Sequence, residues 1–88
     1  MPDRRFKALS DPNRRFLVEQ MLNSPRTVGE LAARLPISRP AVYQHLEILR
    51  ESELVVLNTS GLRKTYSINP VGFKPLKDWV KMFCLKGE

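Results

Sequence analysis

One short stretch, SRPAVYQHLEILRES at residues 38–52, combines residue types that can recognise DNA bases. At about 100° per residue its apolar side chains fall on one side of a helix, and a polar face lies opposite. Glutamine can pair with adenine and arginine with guanine through two hydrogen bonds, and tyrosine can stack or reach a phosphate. An ordinary solvated helix face is the alternative. The polar face begins with Arg39, Pro40, Tyr43 and Gln44.

Catalytic and metal-binding chemistry find little support in the sequence. The only histidine and the only cysteine, His45 and Cys84, lie far apart, with no nucleophile elbow and no phosphate-binding glycine loop. Zinc needs three or four ligands, and Cys84 has no neighbouring ligand. His45 falls on the apolar side of its helix, so we expect a buried or half-buried, hydrogen-bonded histidine rather than a base reader. We predict that the protein is not an enzyme and that it binds neither a metal ion nor a cofactor.

The length, charge and cysteine content of the chain limit the kinds of molecule that it can bind. Eighty-eight residues make one domain, 1–88, and the formal net charge of +6 favours a polyanion, which is DNA, RNA or an anionic membrane surface. A protein that is basic without such a partner is the alternative. No apolar run approaches the roughly 20 residues of a membrane span, so we predict no membrane insertion. The single cysteine excludes a disulfide framework within one chain and fits a reducing cytoplasm.

Helix start and stop signals predict five helices. Asp11 before Pro12 is typical of an N-cap, Thr27 with Glu30 forms a capping-box pattern, and Ser38 caps the stretch described above. Because so short a turn joins the third and fourth helices, they form a helix-turn-helix candidate. The predicted helices are residues 3–9, Pro12 to the Asn23-Ser24-Pro25 stop, the Thr27 cap to Leu35, 38–52 and 71–86.

A β-hairpin with a cationic tip is predicted after the fourth helix. LVVLN (54–58) is apolar and β-branched, TSG (59–61) is a turn cluster, and LRKTYSIN (62–69) alternates. The alternation places Leu62 and Tyr66 on one face of the second strand. Arg63 and Lys64 near the turn can enter a minor groove or hold phosphates. They can equally serve as a charged edge that blocks sheet aggregation.

The first and last helices carry more large apolar side chains than a thin core can hide. A homodimer that buries them is the economical interpretation, and packing within one chain is the alternative. Arginines near these helices and the loops, Arg14, Arg15 and Arg26, can contact the DNA backbone or form structural ion pairs. The predicted dimer interface consists of Phe6, Leu9, Phe73, Leu76, Trp79, Val80 and Phe83.

Three segments together resemble the ArsR family of bacterial winged helix-turn-helix repressors. They are ALSDPNRRFLVEQML, TVGELAARLPISRPAVYQHLEILRESELV and the hairpin followed by YSINP, and the resemblance covers residues 6 to 80. It implies a dimer clasped by the first and last helices, the fourth helix in the major groove and the hairpin, or wing, near the DNA backbone. By position it implies recognition-helix contacts from Ser38, Arg39, Tyr43 and Gln44, and wing contacts from Arg63 and Lys64.

Departures from the family pattern bear on regulation. Metal-sensing members have cysteines in the third helix, where this chain has none, and others use Asp and His on the last helix, where it has Asp78 and no histidine. The chain therefore resembles the metal-independent autorepressors. Glu53 stands where members often have a glycine, and in a left-handed conformation it would carry a strain of about 1 kcal/mol.

The sequence as a whole predicts a mainly α fold with a β-hairpin wing, a winged helix-turn-helix of about five helices and two strands. The predicted function is that of a homodimeric, sequence-specific transcriptional repressor that binds a two-fold symmetric site on double-stranded DNA. The alternative is a winged helix that binds RNA or protein. A preference for symmetric duplex DNA over single-stranded or A-form RNA separates the two.

Overall fold

The computed structural model describes residues 3–84 as five helices and one antiparallel hairpin, in the predicted order. This is the winged helix-turn-helix architecture that the sequence predicts. The elements are α1 (Asp3–Ala8), α2 (Pro12–Gln20), α3 (Val28–Ala32), α4 (Arg39–Glu51), β1 (Val55–Ser60), β2 (Arg63–Ile68) and α5 (Pro70–Lys81).

The three N-caps predicted from the sequence are confirmed. The Asp11 carboxylate accepts hydrogen bonds from two backbone N–H groups of α2, and the Ser38 hydroxyl oxygen accepts one from α4. Thr27 and Glu30 form the reciprocal capping box of α3, with distances of 3.1 and 2.8 Å. Since these bonds satisfy amides that a helix leaves free, they define where α2, α3 and α4 begin.

Several helix ends differ from the prediction. α3 ends at Ala32 rather than Leu35, because the chain then tightens into bonds between residues three apart, such as Leu35 N–H to the Ala32 carbonyl at 3.4 Å. α2 likewise ends at Gln20. α5 starts one residue early, with a proline at its first position, and ends at Lys81. Residues 85 and 86, predicted as its last residues, lie outside the described part of the chain.

The turn of the hairpin lies further along the chain than predicted. Ser60 pairs with Arg63, which leaves a two-residue loop of Gly61 and Leu62. Gly61 has a φ of +62°, and a left-handed first loop position matches the twist of the flanking strands. The prediction that Leu62 shares a face with Tyr66 is therefore wrong, since Leu62 lies in the loop and is fully exposed while Tyr66 is buried.

The core is built around α4. Its apolar side, predicted from the helical spacing, is confirmed by the complete burial of Val42, Leu46 and Leu49. Leu76 of α5 also belongs to this core and is only 6% exposed. Leu76 therefore packs mainly within its own chain, and its place in the predicted dimer interface stays a prediction.

The C-terminal end of α4 joins three helices. Glu53 has a φ of +64°, and the Glu53 and Leu54 N–H groups bond to the Arg50 and Leu49 carbonyls at 2.9 and 3.0 Å, the pattern of a Schellman motif. The Glu53 carboxylate binds Arg5 of α1 at 3.0 Å. The start of α5 packs on the same residue so tightly that a Cβ on Gly72 would lie 1.7 Å from the Glu53 carbonyl oxygen. Glu53 therefore has the left-handed conformation for which the strain of about 1 kcal/mol was considered from the sequence.

Candidate nucleic-acid interface

The exposed side of α4 is the first component of the candidate interface. Because the opposite side of the helix is buried, its first two turns project Pro40, Tyr43 and Gln44 outward, and Tyr43 is 48% exposed. These side chains form a shallow depression of about 570 Å³ together with Ser38, Ala41 and Glu47. Glu47 binds Arg50 at 3.1 Å, so its charge is partly neutralised where the depression ends.

The polar groups of Tyr43 and Gln44 are available for intermolecular bonds. Within residues 3–84, neither side chain takes part in a hydrogen bond or salt bridge. A carboxamide in this state offers two donors and an acceptor, which matches the edge of adenine in the major groove. Their chemistry and their place on α4 fit the base contacts that the sequence predicts.

Ser38 and Arg39 are exposed but less free than their neighbours. The Ser38 hydroxyl oxygen accepts the capping hydrogen bond of Ala41 N–H at 3.3 Å. The Arg39 guanidinium lies against α3, where a Cβ added to Gly29 would be 3.2 Å from its Nη2 atom. Arg39 therefore spans the two helices of the helix-turn-helix, which suits a phosphate contact better than a base contact. DNA contact by these two residues stays a prediction.

The wing places two cations beside its loop. Arg63 and Lys64 are exposed, and their backbones pair with Ser60 and Thr59. As neighbours along a strand they point to opposite faces of the hairpin. The hydrogen bond from the Thr27 backbone N–H lowers the pKa of the Glu30 carboxyl, and the charges of Arg26 and Arg63 lower it further.

A short β-bridge, which the sequence prediction missed, connects the helix-turn-helix to the wing. Arg26 and Tyr66 exchange two backbone hydrogen bonds of 2.9 and 2.8 Å. The Arg26 side chain also donates to the Gln20 carbonyl at 2.9 Å. The available signal was the extended backbone expected at Arg26, between Pro25 and the N-cap Thr27. The bridge fixes the position of the wing relative to α3.

Two other arginines donate hydrogen bonds to backbone carbonyls of the fold. Arg14 donates to the Ala8 carbonyl at 2.6 Å and to Nδ1 of His45 at 3.2 Å. The partly buried, hydrogen-bonded state predicted for His45 is thereby confirmed. Arg15 donates to the Leu9 carbonyl at 2.9 Å. Neither arginine forms an ion pair within the described residues, so the structural role is that of capping carbonyls at the end of α1.

An apolar surface lies at the α1–α5 end of the molecule. The rings of Phe6 and Trp79 are 5.2 Å apart, edge to face, and those of Trp79 and Phe83 are 4.7 Å apart. Phe83 is 64% exposed and Val80 is 44% exposed. Leu9 and Phe73, also predicted at the dimer interface, are partly buried against the core. Large exposed apolar side chains so close together are typical of a protein–protein interface.

The described residues offer neither a metal-binding cluster nor a membrane-spanning helix. No group of three or more His, Cys, Asp or Glu side chains in residues 3–84 could hold a metal ion. Cys84 is free and exposed. None of the helices in the described range is long and apolar enough to cross a membrane.

Comparison with known proteins identifies the family. The sequence model of the bacterial regulatory protein arsR family matches residues 11–56. The chain is 46% identical over 76 residues to the HTH-type transcriptional regulator Rv2034 of Mycobacterium tuberculosis, covering 86% of this chain and 71% of that protein. It is 32% identical over 83 residues to the transcriptional repressor SdpR of Bacillus subtilis, covering 94% and 92%. A crystal structure of a possible transcriptional regulator for arsenical resistance superposes with a TM-score of 0.80 at 34% identity, covering 91% of this chain and 83% of that one. The chain therefore belongs to the ArsR family of bacterial transcriptional regulators.

Proposed function

We propose that this chain is a sequence-specific transcriptional repressor that binds a two-fold symmetric operator as a homodimer in the cytoplasm. The observation that carries the proposal is the pair of exposed, unbonded side chains, Tyr43 and Gln44, on the first two turns of α4. A recognition helix reads bases with this part of its surface. The names of the similar proteins, a regulator and a repressor, support the same function.

In the proposed complex each part of the interface has a separate task. α4 has 13 residues and is about 20 Å long, so its N-terminal half can enter a major groove while its C-terminal end stays in the core. Gln44 and Tyr43 would then face base edges. Arg39 would hold a phosphate beside α3, and Arg63 and Lys64 would contact the backbone or the adjacent minor groove.

The homodimer would form at the α1–α5 end. Phe6, Trp79, Val80 and Phe83 leave apolar surface there that a second copy would bury. In this arrangement the two α4 helices lie on the same side of the dimer, about 34 Å apart, and reach successive major grooves. The symmetry of the operator would mirror that of the protein.

Selection from a random duplex library tests the proposal. We expect the enriched DNA to contain an inverted repeat whose half-sites are centred about 10 base pairs apart, or a multiple of that distance. The selected duplex should then bind far more tightly than the same sequence as single-stranded or double-helical RNA. Equal or stronger binding to RNA would favour the alternative of an RNA-binding winged helix, and enrichment of single, unpaired half-sites would contradict the dimeric arrangement.

A further inference from the structure

A second surface lies away from the reading face of α4, and of the residues that line it only Phe73 belongs to the predicted dimer interface. It lies where the end of α2, the end of β2 and the outer face of α5 meet. Its centre is a recess of about 260 Å³ between Val18, Leu22, Ile68 and Phe73, and Glu19 contributes its hydrocarbon stem. Only apolar atoms line the recess. Leu22 is 74% exposed at its rim, which is unusual for so large an apolar side chain.

The recess continues into a groove along α5 that is positively charged. Ile68 and Phe73 line both, and the groove adds Lys74, Lys77 and Lys81 with one acidic residue, Asp78. Asp78 binds Lys74 at 2.8 Å. In residues 3–84 no carboxylate lies within salt-bridge distance of Lys77 or Lys81. Lys77 follows Phe73 by four residues, so both lie on the same face of α5.

These lysines are poorly placed to contact the same DNA as α4. α5 begins against Glu53, whose carbonyl accepts a hydrogen bond of 2.8 Å from Asn69, just before α5. Glu53 follows the C-terminal end of α4, whereas the reading residues lie in its first two turns. The cations of the groove are therefore free to bind an anion other than that DNA.

We propose that the recess and groove bind a medium-chain alkyl carboxylate, with the hydrocarbon tail in the recess and the carboxylate beside Lys77. An open recess lined by apolar atoms suits a tail, and the exposed ammonium groups of the adjoining groove suit an anionic head. The recess volume of about 260 Å³ is comparable with that of the nine-carbon tail of decanoate, at roughly 30 Å³ for a group the size of a water molecule.

Calorimetric titration of the whole 88-residue chain with monomeric alkyl carboxylates, in the absence of DNA, tests the proposal. Each methylene that enters the recess should strengthen binding about three- to fourfold, so decanoate should bind roughly tenfold more tightly than octanoate. Dodecanoate should bind no more than about twofold more tightly than decanoate, because the recess is then full. Nonyltrimethylammonium, with the same nine-carbon tail and the opposite charge, should bind at least tenfold more weakly than decanoate.

Two matched leucine variants locate the site. Leu22→Asp should weaken decanoate binding at least tenfold, since it removes apolar contact and repels the anion. Leu62→Asp makes the same change at the fully exposed leucine of the wing loop and should alter binding less than about twofold. The proposal would be overturned if both variants changed the affinity for decanoate equally. It would also be overturned if the cationic ligand bound the unaltered chain as tightly as decanoate does.

Two further controls separate other occupants of the surface. If vesicles containing phosphatidylglycerol bind the chain and monomeric decanoate does not, the groove faces a membrane and the proposal is wrong. If Leu22→Asp converts a dimer into a monomer in sedimentation, a second copy covers the recess, and the proposal is likewise overturned. Since none of these measurements involves DNA, the failure of the carboxylate site would leave the repressor function unaffected.

Discussion

The two ends of this molecule expose opposite kinds of surface. At the end formed by the first turns of α4 and the wing, the exposed side chains include Tyr43, Gln44, Arg63 and Lys64, which form no side-chain hydrogen bonds within residues 3–84. At the α1–α5 end Val80 and Phe83 are exposed, and the partly buried ring of Trp79 packs against that of Phe83. The first end suits a hydrated polyanion, and the second suits a protein surface.

The comparison shows that residue type alone does not identify a binding residue. Arg14 and Arg26 are as cationic as Arg63, yet their guanidinium groups bond to the Ala8 and Gln20 carbonyls inside the fold. The number of basic residues in the chain is therefore larger than the number of cations that are free to contact DNA. A side chain is available when the fold leaves its polar atoms without a partner.

The largest effect should come from placing charges in the apolar α1–α5 surface. We expect Val80→Glu with Phe83→Glu to abolish dimerisation, because each unpaired charge buried in the interface costs several kcal/mol. Both side chains are more than 40% exposed, at 44% and 64%, so the fold of each chain should survive. Sedimentation measures the assembly, and a gel-shift titration should show affinity close to that of a single half-site.

A matched pair of changes in the wing controls for charge. Val56→Glu with Leu62→Glu introduces the same two carboxylates at exposed apolar positions of the hairpin and should leave sedimentation unchanged. A dimer that persists in the Val80 and Phe83 variant would mean that this face of α5 contacts only its own chain.

The next effect concerns base recognition at the polar end. Gln44→Ala should lose about 1–3 kcal/mol of discrimination at one base position of each half-site, with little change in binding to random DNA. Gln20→Ala is the matched control, since the Gln20 amide accepts a bond from Arg34 at 2.6 Å and belongs to α2. Competition titrations with single-base operator variants measure the loss. Equal weakening on operator and random sequences would show that Gln44 reads no base.

The sequence predicts well those features that depend on neighbouring residues. The caps at Asp11, Thr27 and Ser38 and the buried side of α4 follow from short spacings, and the structure confirms them. The sequence raised a left-handed Glu53 only as a condition, and the structure shows that conformation at the end of α4.

Features that depend on distant contacts were not predictable in the same way. The Arg26–Tyr66 bridge joins positions 40 residues apart, and no local pattern specifies its partner. Leu76 lies on the same apolar stripe as Val80, yet one is 6% and the other 44% exposed, because only the packing of α5 decides which part of the stripe faces inward. The hairpin turn lies at Gly61-Leu62 rather than at the predicted residues 59–61, because Thr59 and Ser60 pair with the second strand.

A smaller effect on DNA binding should distinguish the cations of the wing from those on the outer face of α5. Replacing Arg63 and Lys64 with Ala should weaken all DNA sequences alike and reduce the slope of log K against log salt by about one to two units per wing. Lys74→Ala with Lys77→Ala removes the same charge from the outer face of α5 and should leave the slope unchanged. Anisotropy titrations over a range of salt concentrations give both slopes. An equal change for the two pairs would mean that the charged surfaces are not functionally distinct.

The smallest effect concerns Glu53, which joins the two ends. Its left-handed backbone carries a strain of about 1 kcal/mol that glycine would relieve, whereas its ion pair with Arg5, in which Glu53 is 70% exposed, contributes between about 0 and 1 kcal/mol. Glu53→Gly should therefore change the free energy of unfolding by between about 0 and +1 kcal/mol, despite the loss of the ion pair. Glu51→Gly, two residues earlier in the last turn of α4, should destabilise the chain by up to about 1 kcal/mol, because a helical φ gives glycine no advantage. Urea denaturation of both variants measures the difference in the free energy of unfolding. Equal destabilisation would mean that the ion pair with Arg5 outweighs the backbone strain at Glu53.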